Sequence, residues 1–250
     1  MGDERAMTKA GANRAADGSG SLYASDSGIS GVRYGVADVG GGRILAIESS
    51  APLHILNSSV WNGGFAKVTS IVNRQVDRSY DCADPAAEMK RFLQRSGFEP
   101  ERTAAMLTAA NIRGYGRKLA AAEGGPAVCA WVTAGLSNRS RAGSLRASDK
   151  LYPGTINTIV VMDGGLTEAA LVNAVITATE AKAAALQDMG VLTDDGLQAT
   201  GTTTDAVIIA AVPRGGPIRY AGPATTAGAA IGAAVYEATR ASLRGDLGGR

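Results

Sequence analysis

The stretch from Ile156 to Val212 constrains the fold more than any other part of the chain. Residues 156–162 and 207–212 are apolar, β-branched runs of the length a buried strand needs. Between them, residues 167–189 carry Ala, Leu and Val at helical spacing, with Gly190 just beyond the end. Strand, long helix, strand is the pattern of a crossover connection, which joins parallel neighbours within one sheet. A chain organised around it belongs to the α/β class.

The flanking segments extend this picture. Residues 32–36, 43–48 and 53–60 are short apolar runs, the first two separated by Gly40-Gly41-Gly42, and read as antiparallel strands. Asp84 and Pro85 suit the cap and first turn of a helix that would bury Met89, Phe92 and Leu93 on one face. Residues 103–110 fit a strand or a helix, residues 127–134 read as a buried strand, and residues 226–243 as a final Ala-rich helix. Apolar residues make up 45% of the chain but aromatics only 5%, so the core must come from small aliphatic side chains packed closely between helix and sheet. The length suits one domain, over residues 21–250. Residues 1–20 mix Gly, Ala, Ser and charge without a period and read as a disordered tail.

Charge and residue counts narrow the function classes. A formal charge of +2, with Lys and Arg scattered, gives no electrostatic footprint for nucleic acid or an acidic membrane surface. The sequence holds no run near the roughly 20 apolar residues of a membrane span, and the N-terminus has no apolar signal core. The expectation is a cytoplasmic protein with a small-molecule substrate, with no nucleic-acid or membrane partner, and with homo-oligomerisation left open. His54 is the one histidine and lies among Pro52, Leu53, Ile55 and Leu56, where an imidazole usually serves structure. Cys82 and Cys129 are far apart and provide neither a disulfide framework nor, with His54, a four-ligand zinc site. A site free of metal and cofactor is therefore expected.

Five polar clusters border the apolar runs: Asn62-Gly63-Gly64; Thr108-Ala109-Ala110-Asn111; Thr133 to Asn138 with Arg141-Ala142-Gly143; Gly154-Thr155-Ile156-Asn157; and Ala199 to Asp205. Each has an ordinary explanation, since Asn-Gly-Gly is a hairpin turn and threonine fits the start of a strand. Together, strand ends rich in hydroxyls, carboxamides and glycines can offer neutral donors and open backbone N–H groups to an oxyanion. In this order, over roughly residues 53–243, the clusters resemble the adenosylcobinamide amidohydrolase family. The most specific segments are Val132-Thr133-Ala134-Gly135-Leu136-Ser137-Asn138 with Arg141-Ala142-Gly143, Gly154-Thr155-Ile156-Asn157-Thr158-Ile159, the run Thr177 to Leu186, and Ala199-Thr200-Gly201-Thr202 with Thr204-Asp205. The resemblance implies hydrolysis of the amide between a corrin propionyl side chain and aminopropanol, with the corrinoid as substrate. It also implies histidines at two positions where this chain has Arg74 and Ala224. Their absence leaves open a diverged amidase, acyltransferase or cyclase, or a ligand-binding protein without turnover.

A second resemblance bears on mechanism. Gly154 to Asp163, followed by a long helix, is similar to the nucleophile segment of ornithine acetyltransferases and DmpA aminopeptidases. That resemblance implies stacked mixed sheets flanked by helices, an αββα-like fold, and a threonine nucleophile at Thr155, freed in some members by cleavage of the chain before it. A threonine can be activated by a neighbouring base or by its own α-amino group, which needs no imidazole. The alternative is that Thr155 only begins a strand. The candidate catalytic set is Thr155, Thr133, Gly135, Asn157 and Asp205, with the Thr133-Ala134-Gly135 turn as the candidate oxyanion hole. The candidate substrate-binding set is Asn62, Gly63, Asn111, Asn138, Arg141 and Thr203. Arg141 could meet an anion or simply be solvated.

Overall fold

The computed structural model describes residues 22–144 and 154–247, so the expected tail over residues 1–20 lies outside the described residues. The elements run β1 (Ser25–Asp26), β2 (Val32–Val39), β3 (Gly42–Asn57), β4 (Gly64–Gln75), α1 (Pro85–Arg95), β5 (Thr103–Thr108), β6 (Gly116–Ala121) and β7 (Ala127–Ala134). They continue with β8 (Arg139–Ser140), β9 (Ile156–Asp163), α2 (Glu168–Asp188), β10 (Gly201–Thr202), β11 (Ala206–Val212) and α3 (Thr226–Leu247). The crossover expected from the sequence is present, with β9 and β11 paired in parallel from Asn157 opposite Ala206 to Asp163 opposite Val212.

The long strand β3 explains how one hydrogen-bonded sheet becomes two layers. Its first half pairs with β2 and with the end of β4, Ile44 lying opposite Arg74. After a register shift between Glu48 and Leu53, its second half pairs with the start of β4 and with β11, Asn57 lying opposite Ile208. The run 43–48 and the first part of the run 53–60, as far as Asn57, are thus one strand interrupted by a bulge, which bends it and lets each half join a different layer; residues 58–60 lie beyond its end. Of residues 103–110, which fit a strand or a helix by sequence, Thr103–Thr108 form a strand, β5, parallel to β4.

Alternation along the strands sorts the core into three sets. Leu45, Ile47, Leu53, Ile55, Ala104 and Met106 face Cys129, Trp131, Ile159, Val161 and Ile208 across the space between the layers. On the far side of β7, β9 and β11, Val128, Ala130, Val132, Val160, Met162 and Ile209 pack on Ala174, Ala178, Ile231 and Ala234 of α2 and α3. On the outer side of β3, β4 and β5, Ile44, Ala46, Val72 and Ala105 pack on Met89, Phe92 and Leu93 of α1. The order is helix pair, sheet, sheet, helix, the expected αββα arrangement.

Local signals account for the helices. Asp84 accepts from the Ala87 N–H at 2.9 Å, with Pro85 in the first turn of α1. Thr167 caps α2 by accepting from the Ala170 N–H at 3.2 Å. Small residues let α3 lie directly on the sheet: a Cβ on Gly116 of β6 would stand 1.8 Å from the Ala238 carbonyl oxygen. By length and hydropathy α2 could cross a membrane, but its face from Ala170 to Leu186 is buried in the core.

Candidate active site

Three inward-facing rows of the inter-sheet core end on polar side chains. Asn157 follows the parity of Ile159 and Val161 on β9, Asn73 that of Ile71 on β4, and Thr133 that of Cys129 and Trp131 on β7. All three are buried, so each must find partners within the protein. The Asn157 Nδ2 donates to Asn73 Oδ1 at 2.9 Å and to the Leu107 carbonyl at 2.8 Å, and Asn73 Nδ2 donates to Thr133 Oγ1 at 2.9 Å. The result is a carboxamide–hydroxyl chain linking β4, β5, β7 and β9.

Thr155 sits beside this chain, 3% exposed. Its hydroxyl donates to the Thr204 carbonyl at 2.7 Å, with Asn157 Oδ1 at 3.4 Å. Thr204 in turn donates its hydroxyl to the Gly154 carbonyl at 2.9 Å. The Gly135 N–H donates to the Thr155 carbonyl at 3.0 Å, so this donor of the candidate oxyanion hole is engaged by the backbone. Asp205 secures the segment from the other side. Its Oδ1 accepts from the Ile156 N–H at 3.0 Å, the Thr202 N–H at 3.1 Å and the Thr202 hydroxyl, while Oδ2 accepts from Lys182. A Cβ on Gly201 would meet that Asp205 oxygen at 2.1 Å and the Lys182 Nζ at 2.8 Å, so only glycine allows this approach.

The structure therefore gathers Thr155, Asn157, Asp205, Thr133 and Gly135 at one place. Thr203 lies close by, its hydroxyl accepting from Asn138 Nδ2 beside the β8–β10 pair. Arg141, exposed, donates to the Gln198 carbonyl at 2.9 Å. It lines, with Thr203, Lys182 and Asp205, a cavity of about 660 Å³. Asn111, exposed, accepts from the Arg113 N–H and borders a different cavity of about 1060 Å³ with Gln75 and Ala109, while its neighbour Ala110 lies against Gly135. Asn62 and Gly63 are not brought to Thr155. Asn62, at φ 53°, donates to the Pro100 and Thr103 carbonyls at the start of β5, whereas Asn157 reaches Leu107 near the strand's end.

The two positions where the resemblance implies histidines, Arg74 and Ala224, also lie away from Thr155. Arg74 takes the face opposite to Asn73, where its guanidinium stacks on Phe92 at 4.0 Å and pairs with Glu88. Ala224 is exposed just before α3, whose start lies near Gly125 and the beginning of β7, while Ser242 near the other end of α3 accepts from the Ala134 N–H. His54 faces neither, lying opposite Ala211, well along β11 from Asp205. Among the described residues, no group of three or more His, Cys, Asp or Glu converges as metal ligands. Asn73 and Lys182 escaped the sequence reading. Lys182 had a signal: it falls four and eight residues after Ala178 and Ala174, on the buried face of α2.

An αββα domain with a threonine enclosed by hydroxyls, carboxamides and a clamped carboxylate has a site suited to hydroxyl-dependent acyl chemistry. The family model for adenosylcobinamide amidohydrolase matches residues 35–249, and the chain belongs to that family. An adenosylcobinamide amidohydrolase of Halobacterium salinarum is 35% identical over 203 residues, covering 79% of this chain and 83% of the relative. One from Methanosarcina mazei is 37% identical over 191 residues, covering 73% and 86%. A β-aminopeptidase from Burkholderia sp. superposes with a TM-score of 0.41 at 14% identity, over 88% of this chain and 84% of its own.

Proposed function

We propose that the chain hydrolyses the amide between the corrin propionyl side chain and aminopropanol in adenosylcobinamide, releasing adenosylcobyric acid in cobamide salvage. The observation that carries this reading is family membership across nearly the whole described chain, with relatives of that name above one-third identity. On the same reading the substrate is a small corrinoid, the compartment is the cytoplasm, and neither nucleic acid nor membrane takes part.

The proposed nucleophile is Thr155. Its Oγ attacks the amide carbon, the C–N bond breaks, and the amine leaves with a proton, giving an ester on Thr155 that water then hydrolyses. Asn157 and the Thr204 carbonyl hold the hydroxyl in place. Thr133 accepts from Asn73 and retains its own hydroxyl proton, which it offers to the developing oxyanion. Proton removal from Oγ is assigned to the α-amino group of Thr155, freed by cleavage after Gly154. That group titrates near 8. The Thr204 hydroxyl on the Gly154 carbonyl polarises the bond to be broken.

Turnover of adenosylcobinamide in water enriched in ¹⁸O tests the reading. One ¹⁸O in the new carboxylate, with free aminopropanol, is the expected result. Corrinoid binding without either product would replace it with a ligand-binding role.

A further inference from the structure

The buried lysine of α2 floors a cavity that the chemistry above does not use. Lys182 is 6% exposed, and among the described residues its one hydrogen-bond partner is Asp205. An ammonium has three donors, and leaving two of them dry in a buried position is costly. Among the described residues, the space that can present oxygen atoms to them is the adjoining cavity of about 660 Å³. The walls there carry the hydroxyls of Ser140, Thr200, Thr202 and Thr203, and no apolar side chain larger than alanine. Such a lining offers little to a methylated macrocycle but fits a short chain bearing a hydroxyl. Lys182 and Arg141 are balanced by Asp205 and Glu180, so the cavity favours a neutral ligand head over a doubly charged phosphate. The cavity is also tied to the reacting segment, because the Asp205 carboxylate that holds Lys182 holds the N–H of Ile156, next to Thr155.

From this geometry we infer that the cavity between α2 and the β8–β10 pair is the subsite for the amine side of the scissile amide, with Lys182 donating to the hydroxyl of a short amino alcohol. The inference rests on the amide-hydrolase reading and adds to it which side of the substrate lies where. The macrocyclic acyl side is then directed away from α2.

Two measurements test it separately from turnover as such. The first compares hydrolysis of two corrinoid amides with the same acyl part, one of aminopropanol and one of propylamine, by wild type, Lys182→Met and Ala183→Leu. A hydrogen bond from a charged donor gives wild type a preference of about tenfold or more for the hydroxyl-bearing amide. Both variants should lose that preference, read as the ratio of the two rates within each protein; a lysine with a purely structural role would lower both rates alike and leave the ratio at its wild-type value. Ala183→Leu fills the same cavity from a partly exposed helical position and leaves the ion pair in place, so it answers the question if Lys182→Met fails to fold. The second is an NMR titration of labelled full-length protein with free aminopropanol and propylamine. Shifts centred on Thr202 and Thr203 with aminopropanol, absent with propylamine and in the variants, support the subsite even if no corrinoid amide is cleaved, in which case the function reading alone falls. A hydroxyl preference that persists in both variants overturns the subsite and leaves the function reading standing. So does a titration that shifts nothing in this cavity.

Discussion

Replacing Asp205 by alanine removes four hydrogen bonds at once: those from the Ile156 and Thr202 N–H groups, the Thr202 hydroxyl and Lys182. The Lys182 and Asp205 side chains are 8% and 14% exposed, so the pair is buried and the lysine would be left as an uncompensated charge. Breaking a buried pair from one side costs about 3–5 kcal/mol, and each stranded N–H adds up to about 1–3 kcal/mol where water cannot reach it. The slight opening of Asp205 toward the cavity admits some water, so Asp205→Ala is expected to lose about 4 kcal/mol. That is a large share of a typical domain's stability of about 5–15 kcal/mol. Asp205→Asn keeps an oxygen for the two N–H groups but still strands the lysine charge, so it should lose less than Asp205→Ala by only about 1 kcal/mol. Lys182→Met placed on top of Asp205→Ala removes the stranded charge, so the double variant should be more stable than Asp205→Ala alone by about 2 kcal/mol. Urea denaturation followed by circular dichroism reads all three. A loss below about 1 kcal/mol for Asp205→Ala, or a double variant less stable than the single one, would refute the clamp.

Three further outcomes follow from the geometry. Arg74→Met should cost about 2 kcal/mol in urea denaturation through the lost Glu88 pair and Phe92 stacking, yet leave turnover unchanged, because Arg74 faces α1 and not Thr155. Burial pushes the Cys129 thiol up to about 12, so a maleimide at pH 8 should modify Cys82 promptly and Cys129 only after unfolding; equal labelling of both in the native protein would contradict the inter-sheet core. Denatured protein should give two masses split before Thr155, whereas one intact mass would assign proton removal at Thr155 to a different group.

The parts of the fold legible in the sequence are those set by local chemistry. Asp84 with Pro85 and the crossover from β9 through α2 to β11 were readable because caps and periodicity act over a few residues. The second half of β4 was not, because Ile71, Val72 and Asn73 are all buried: with the other sheet on one face and α1 on the other, alternation disappears. The edge strand β6 was missed for the opposite reason, its Arg117, Lys118 and exposed Leu119 giving no apolar face. At the site, Thr155, Asn157 and Asp205 stood out as polar residues bordering apolar strands. Asn73 stood in a strand whose parity could not be read, and Asn62 had the residue type of a substrate contact while its amide ties a turn to β5.

On the proposed mechanism, amide hydrolysis depends on the Thr155 hydroxyl. Valine at that position keeps the shape and β-branching, so Thr155→Val should move stability by only about 1–2 kcal/mol while deleting the attacking oxygen. Purified wild type and Thr155→Val, matched for folded content and incubated with adenosylcobinamide, should be compared by mass spectrometry for adenosylcobyric acid and aminopropanol. Both products are expected from the wild type and none above background from the variant; a variant that turns over at the wild-type rate would show that Thr155 is not the nucleophile.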